Sequence, residues 1–156
     1  MGMILITRNF LKDVRNFYVI WNILNPFFEN ISAYDGFDVY GHIDYVVRYG
    51  SNKNREYSYG RYKDILDEIL KKLISMGKGI ELNTGGYHYG LGEPNPCTAV
   101  IRRYRELGGE IITIGADAHT PDKIACAFDK AASVLEACGF RYYTIFKDRK
   151  PEFISL

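Results

Sequence analysis

Leu107-Gly108-Gly109-Glu110-Ile111-Ile112-Thr113-Ile114-Gly115-Ala116-Asp117-Ala118-His119 reads as a helix end, a stop, a strand and the mouth of that strand. Paired glycines stop a helix because glycine adopts the left-handed conformation that a helix terminus favours. The β-branched run from Ile111 to Ile114 suits a buried strand. Asp117 and His119 follow it two residues apart, and in extended backbone such residues point to the same side. A carboxylate and an imidazole converging on one spot suit a divalent metal ion. Ordinary turn chemistry accounts for the same residues. Asp117 then caps a helix starting near Thr120-Pro121, and His119 is a polar loop residue. The spacing alone leaves both open.

The same unit recurs along the chain. A helix is predicted over about Tyr62 to Met76, with Ile65, Leu66, Ile69, Leu70, Leu73 and Ile74 at three- and four-residue spacing. Gly77 and Gly79 stop it, and Ile80-Glu81-Leu82-Asn83 follows as a strand. A second helix, about Pro96 to Leu107, precedes the strand Glu110 to Ile114. A third, about Pro121 to Cys138, ends at Gly139 and leads into the strand Tyr142 to Phe146. Phe37 to Tyr40 reads as a short buried strand ahead of them all. Such alternation predicts an α/β fold whose parallel strands are joined by helical crossovers. In those folds, polar groups at the carboxyl ends of the strands form the active face. Gly41-His42-Ile43-Asp44, Glu81-Leu82-Asn83-Thr84 and Asp117-Ala118-His119 all occupy such ends.

Composition narrows the function classes. At 156 residues the chain has the size of one ordinary domain. Its 20 Lys+Arg balance 19 Asp+Glu, and no basic stripe stands out, which speaks against nucleic acid as a partner. Cys97, Cys126 and Cys138 are odd in number and lack C-x-x-C spacing, which fits free thiols packed as small apolar groups in a reducing cytoplasm. The 13 Tyr, 9 Phe and 1 Trp call for extensive burial or a partner surface. The most apolar stretch, Phe17 to Phe28, is broken by Asn22, Asn25 and Pro26 and is too short to span a membrane. It also lacks the marks of a secretory signal. It is expected as a packing helix from about Thr7 to Asn30, bent or ended by Pro26. Residues 1–33 thus form an apolar helix region before a main domain of residues 34–156.

Each candidate side chain carries two readings. His42 is either a hydrogen-bonded structural histidine or a ligand, and Asp44 either its supporting partner or a turn former. Arg48 makes either a surface salt bridge of little worth or a bidentate phosphate clamp. Glu81 either points inward to polarise a ligand or is solvated. Asn83 and Thr84 open the glycine-rich segment Gly85 to Gly92, which lacks Walker spacing and is not a P-loop. His88 within it either donates to an anion when protonated or is an exposed loop residue.

Three ordered blocks carry a family resemblance: Phe37 to Asp44 with Arg48-Tyr49-Gly50, Gly77 to Thr84, and Gly108 to His119, followed by Gly139-Phe140. Together they resemble the carboxyl-terminal half of a histidinol-phosphate phosphatase of the polymerase-and-histidinol-phosphatase (PHP) superfamily. The resemblance covers about Tyr34 to Leu156. It implies the carboxyl-terminal portion of a distorted (β/α)7 barrel whose amino-terminal strands are missing. It further implies a metal-dependent phosphoesterase that uses zinc, manganese or iron on a small phosphomonoester such as L-histidinol phosphate. By matching position, His42, Asp117 and His119 would be metal ligands, the last two catalytic. Arg48 and His88 would meet the substrate, although family members often carry arginine where His88 stands. Asp44, Glu81 and Asn83 would support them.

The family's amino-terminal half supplies an H-x-H and further ligands, whereas this chain has three histidines in all. The expectation is therefore an under-occupied metal site, completed in a homo-oligomer or by an amino-terminal subunit. The alternative is a truncated, catalytically silent fragment. A sugar- or nucleotide-binding module without metal ranks last.

Overall fold

The computed structural model describes residues 20–49, 55 and 57–156. The described part of the first helix, α1, covers residues 20–33. It runs on through Pro26, so that proline does not end it, and residues 7–19 of the expected helix lie outside the described residues. Leu24 and Ile31 on α1 are fully buried in the shared core, with Ile20, Trp21, Phe27 and Phe28 packed against it.

The order after α1 is strand β1 (Val39–Tyr40), a 3-10 turn (Tyr45–Tyr49), helix α2 (Lys63–Ser75) and strand β2 (Gly79–Asn83). A short helix α3 (Gly85–His88), helix α4 (Thr98–Glu106) and strand β3 (Ile112–Gly115) come next. Helix α5 (Phe128–Ala137) and strands β4 (Tyr142–Lys147) and β5 (Lys150–Ser155) complete it. β1, β2 and β3 form a parallel sheet in that order, with Tyr40 opposite Ile80 and Asn83 opposite Gly115. The fold is therefore α/β with parallel strands, as the alternation predicts. β1 is shorter and less buried than the strand expected over Phe37–Tyr40. Of the polar, tyrosine-rich loop expected over residues 52–59 before α2, residues 52–54 and 56 lie outside the described residues.

The repeated helix stop has a physical basis. After α2, Gly77 takes a φ of 67°, and Lys78 N–H reaches back to the Leu73 carbonyl at 2.9 Å. Gly109 N–H to Tyr104 O and Phe140 N–H to Leu135 O repeat that reach behind Gly108 and Gly139. A glycine in the left-handed region lets each chain reverse directly into its strand without orphaning the last carbonyls. α2 then buries Ile65, Leu66, Ile69, Leu70 and Leu73 against Val100, Ile101 and Tyr104 of α4 and the inner side chains Ile80, Leu82 and Ile112 of the sheet.

Three expectations need correction. The helix expected from Pro121 to Cys138 is broken. A 3-10 turn (Pro121–Lys123) and a bend with Ala125 and Ala127 at φ 54° and 58° precede α5. Two residues in the left-handed region cannot continue a right-handed helix. The glycine-rich segment is not an open loop, because α3 starts directly after β2. The third helix–glycine–strand unit does not extend the parallel ladder. β4 pairs antiparallel with β5, from Tyr142 opposite Ser155 to Lys147 opposite Lys150. The Thr144 hydroxyl nevertheless accepts Ile112 N–H at 3.2 Å, holding the hairpin beside β3.

Candidate functional site

The parallel register brings Gly41, Asn83 and Gly115 to one edge of the sheet, and the candidate side chains gather there. Glu81 sits on β2, the central strand, and its carboxylate lies across the neighbouring strand ends. A Cβ on Gly115 would collide with Glu81 Oε1, and one on Gly41 would stand 3.0 Å from Oε2. These two glycines form a slot that only hydrogens line. Asn83, buried at the end of β2, donates Nδ2–H to Glu81 Oε2 at 3.2 Å and accepts Gly85 N–H at 2.8 Å. One amide thus orients the carboxylate and starts α3. Glu81 points inward, towards His42, whose Nδ1 is 3.7 Å from Oε2.

His42 itself has a φ of 60°, and Asp117 one of 51°. Both are non-glycine residues in the left-handed region, where strain concentrates at functional positions. Asp117 follows β3 and is 19% exposed at its side chain. His119 Nε2 stands 3.4 Å from Asp117 Oδ1, and Arg48 Nη1 is 3.2 Å from Oδ2. Burial alone would raise the Asp117 carboxyl. The Arg48 hydrogen bond and the charges of His42, His119 and Arg48 outweigh it and hold the group below the usual aspartate range.

Arg48 projects from the 3-10 turn after β1 into a cage of tyrosines. Its guanidinium carbon lies 4.3 Å from the Tyr89 ring centre, 4.8 Å from Tyr49 and 5.1 Å from Tyr45. Nη2 also donates to the Tyr49 hydroxyl at 2.7 Å. Burial would lower the Arg48 pKa, but the bonds to Tyr49 and Asp117 raise it above the ordinary value. Sequence reasoning missed this cage. Its one signal was tyrosine three residues before and one after Arg48, which a 3-10 turn brings to the same arginine. His88, on α3, packs its ring 4.5 Å from that of Tyr89 at a tilt of 46° and buries an Nδ1 that makes no hydrogen bond. It stands behind Tyr89 rather than against Asp117.

Asp44 lies elsewhere. It is 2% exposed and binds the segment entering α4, accepting Asn95 Nδ2–H at 3.0 Å and Cys97 N–H at 2.7 Å. Burial pushes its carboxyl up, while the bonds from Asn95, Cys97 and Tyr57 pull it down, and Glu93 adds to the rise. The Tyr57 hydroxyl is buried against it without completing a hydrogen bond of ordinary geometry. Asp44 therefore anchors the loop that carries His42 and does not face the strand ends.

The donor chemistry can be tested against a divalent ion. Two donors sharing one tetrahedral ion at about 2.1 Å stand about 3.4 Å apart, which is the His119–Asp117 separation of 3.4 Å. That separation is equally an ordinary imidazole–carboxylate ion pair, so Asp117 and His119 offer two donors only, and His42 with Glu81 forms a second polar pair. Among the described residues, no group of three His, Cys, Asp or Glu side chains gathers to hold a metal by itself.

The chain is similar to several known proteins. A family model described as PHP domain matches residues 2–85, which is more than half of the chain. A probable histidinol-phosphatase of Clostridium acetobutylicum is 33% identical over 114 residues, 71% of this chain and 43% of that protein. A histidinol-phosphatase of Lactococcus lactis is 29% identical over 120 residues, 77% of this chain and 44% of the relative. The chain thus spans a little under half the length of the curated relatives it matches. The crystal structure of a histidinol phosphate phosphatase from Lactococcus lactis, complexed with zinc, L-histidinol and phosphate, superposes with a TM-score of 0.70. It is 24% identical, and the match covers 85% of this chain and 50% of that one, a likeness of fold.

Proposed function

This chain belongs to the PHP domain family, and on that premise we propose that its strand-end cluster is the site of a metal-dependent phosphomonoesterase of the histidinol-phosphatase type. The observation that carries the reading is the meeting of Asp117, His119 and Arg48 beside His42 and Glu81 at the carboxyl ends of three parallel strands. Carboxylate and imidazole donors beside an arginine are the parts that phosphoryl transfer needs.

In this reading Asp117 and His119 would hold a divalent ion, zinc, manganese or iron, and His42, which does not gather with them into a three-ligand group here, would be a further ligand. A bound ion supplies Lewis acidity toward the phosphoryl oxygens. Glu81 holds the His42 ring in orientation, much as carboxylates do for ligating histidines elsewhere. Asn83 fixes Glu81, and Asp44 fixes the loop from below. Arg48 offers its planar fork to the phosphate. The Tyr45, Tyr49 and Tyr89 rings border the substrate, a small phosphorylated metabolite such as L-histidinol phosphate, with His88 behind them. Three free thiols agree with a cytoplasmic setting, and no helix among the described residues is long and apolar enough to cross a membrane.

One observation favours a second reading. No three ligands gather among the described residues, so the site is completed by another chain, a second copy or an amino-terminal partner, or stays silent. The barrel of which this sheet would be a portion belongs to the same proposal. Asp117→Ala tests the ligand assignment. It is expected to abolish zinc or manganese binding measured by equilibrium dialysis, and full metal content in that variant would refute it.

A further inference from the structure

Arg48 is held at both ends of its fork. Nη1 donates to Asp117 Oδ2 at 3.2 Å, and Nη2 donates to the Tyr49 hydroxyl at 2.7 Å. One hydrogen bond would leave the guanidinium free to turn about it. Two, on different nitrogens, fix the plane of the group. The Tyr89 and Tyr49 rings, 4.3 Å and 4.8 Å from the guanidinium carbon, add cation–π contact. Tyr45 meets Tyr49 edge-on, with ring centres 5.9 Å apart, and steadies that ring in turn. An arginine carries more N–H donors than these two bonds use, so the fixed group still has donors for an anion.

The two anchors are not equivalent. The Arg48 and Asp117 side chains are 17% and 19% exposed, whereas Tyr49 is 68% exposed. A hydrogen bond so open to water contributes little to the stability of the fold. Its effect falls on the arginine instead. A free arginine loses rotamer entropy when it closes on a phosphate, and one that is already held loses less. We propose that Tyr49 is a positioning residue of this site: its hydroxyl sets the orientation in which Arg48 meets the phosphate group of the substrate. The inference rests on the proposed role of Arg48 as the phosphate contact.

The test is titration of the purified chain with inorganic phosphate in the presence of zinc, followed by phosphorus NMR, for wild type, Tyr49→Phe and Arg48→Met. Phenylalanine keeps the ring against the guanidinium and removes only the hydroxyl. The expected result is phosphate binding about fivefold weaker in Tyr49→Phe, the worth of one ordinary hydrogen bond, at an unchanged melting temperature. Binding is weaker still in Arg48→Met. The guanidinium NMR signals of Arg48 give a readout that needs no phosphate: sharp in wild type, and averaged by rotation in Tyr49→Phe. Wild-type phosphate affinity in Tyr49→Phe, with binding weakened in Arg48→Met, overturns the inference and leaves the phosphate role of Arg48 standing. Weaker binding in Tyr49→Phe that comes with a lowered melting temperature and unchanged Arg48 signals also overturns it, because Tyr49 then supports the fold and not the fork. Phosphate binding unchanged in Arg48→Met, or absent from wild type, overturns both together.

Discussion

At the scale of single residues, the site depends on where bulk is missing. Gly41 and Gly115 are glycine because Glu81 lies across them. Gly115→Ala therefore pushes the carboxylate off the strand end and away from His42. Because only the flexible end of the Glu81 side chain must move, we predict nearly unchanged stability in urea unfolding together with weaker metal binding than wild type. Marked destabilisation in that variant would show that the carboxylate cannot swing aside. The sequence made Asp117 and His119 visible through their spacing after an apolar run. It gave no sign that these two glycines serve a third residue, because a glycine flanking a strand is more often a turn. Nor could it show Arg48 bound to Asp117, a contact between residues 69 apart in the chain.

At the scale of elements, polar side chains tie the strand ends and helices together. Thr84, fully buried after β2, donates to the Cys126 carbonyl at 2.6 Å and lies 3.2 Å from Gly115 O. Thr84→Val removes that donor and is predicted to cost about 1–3 kcal/mol, read as a lowered denaturation midpoint. Between α2 and α4, Arg103 grips Asp67 through Nε and Nη2, the latter at 2.8 Å, and Tyr59 donates to the same carboxylate. The Arg103 bonds, more than burial opposes them, hold the Asp67 carboxyl below the ordinary aspartate range. A depressed carboxylate stabilises the fold above its unfolded pKa and loses that contribution as pH falls through its folded value. Asp67→Asn is therefore predicted to lower stability at neutral pH and to flatten the acid limb of the stability curve. A parallel drop at every pH would contradict that origin. Helix α2 was legible from apolar periodicity and its terminal glycines, and α4 from the glycine pair that stops it. The break before α5 was not, because Ala125 and Ala127 carry no sequence mark of the left-handed conformation they adopt.

At the scale of the whole molecule, one core joins α1, α2, α4, α5 and the parallel sheet. Leu73 is fully buried in it, and Leu73→Ala is predicted to cost about 2–5 kcal/mol in chemical unfolding. The parallel sheet was legible because Ile80-Glu81-Leu82 and Ile111 to Ile114 follow helix stops at similar spacing. The closing hairpin was not. β5 is exposed along its length and holds Pro151 and Glu152, so no apolar run announces it. The candidate ligands come from separate strand ends, so activity is a property of the molecule as a whole. Phosphate release from L-histidinol phosphate, with added manganese or zinc, compared between wild type and His119→Ala, addresses it most directly. The account predicts metal-dependent turnover in wild type that the variant loses. Equal release by both proteins would contradict the assignment of the strand-end cluster as the site of hydrolysis.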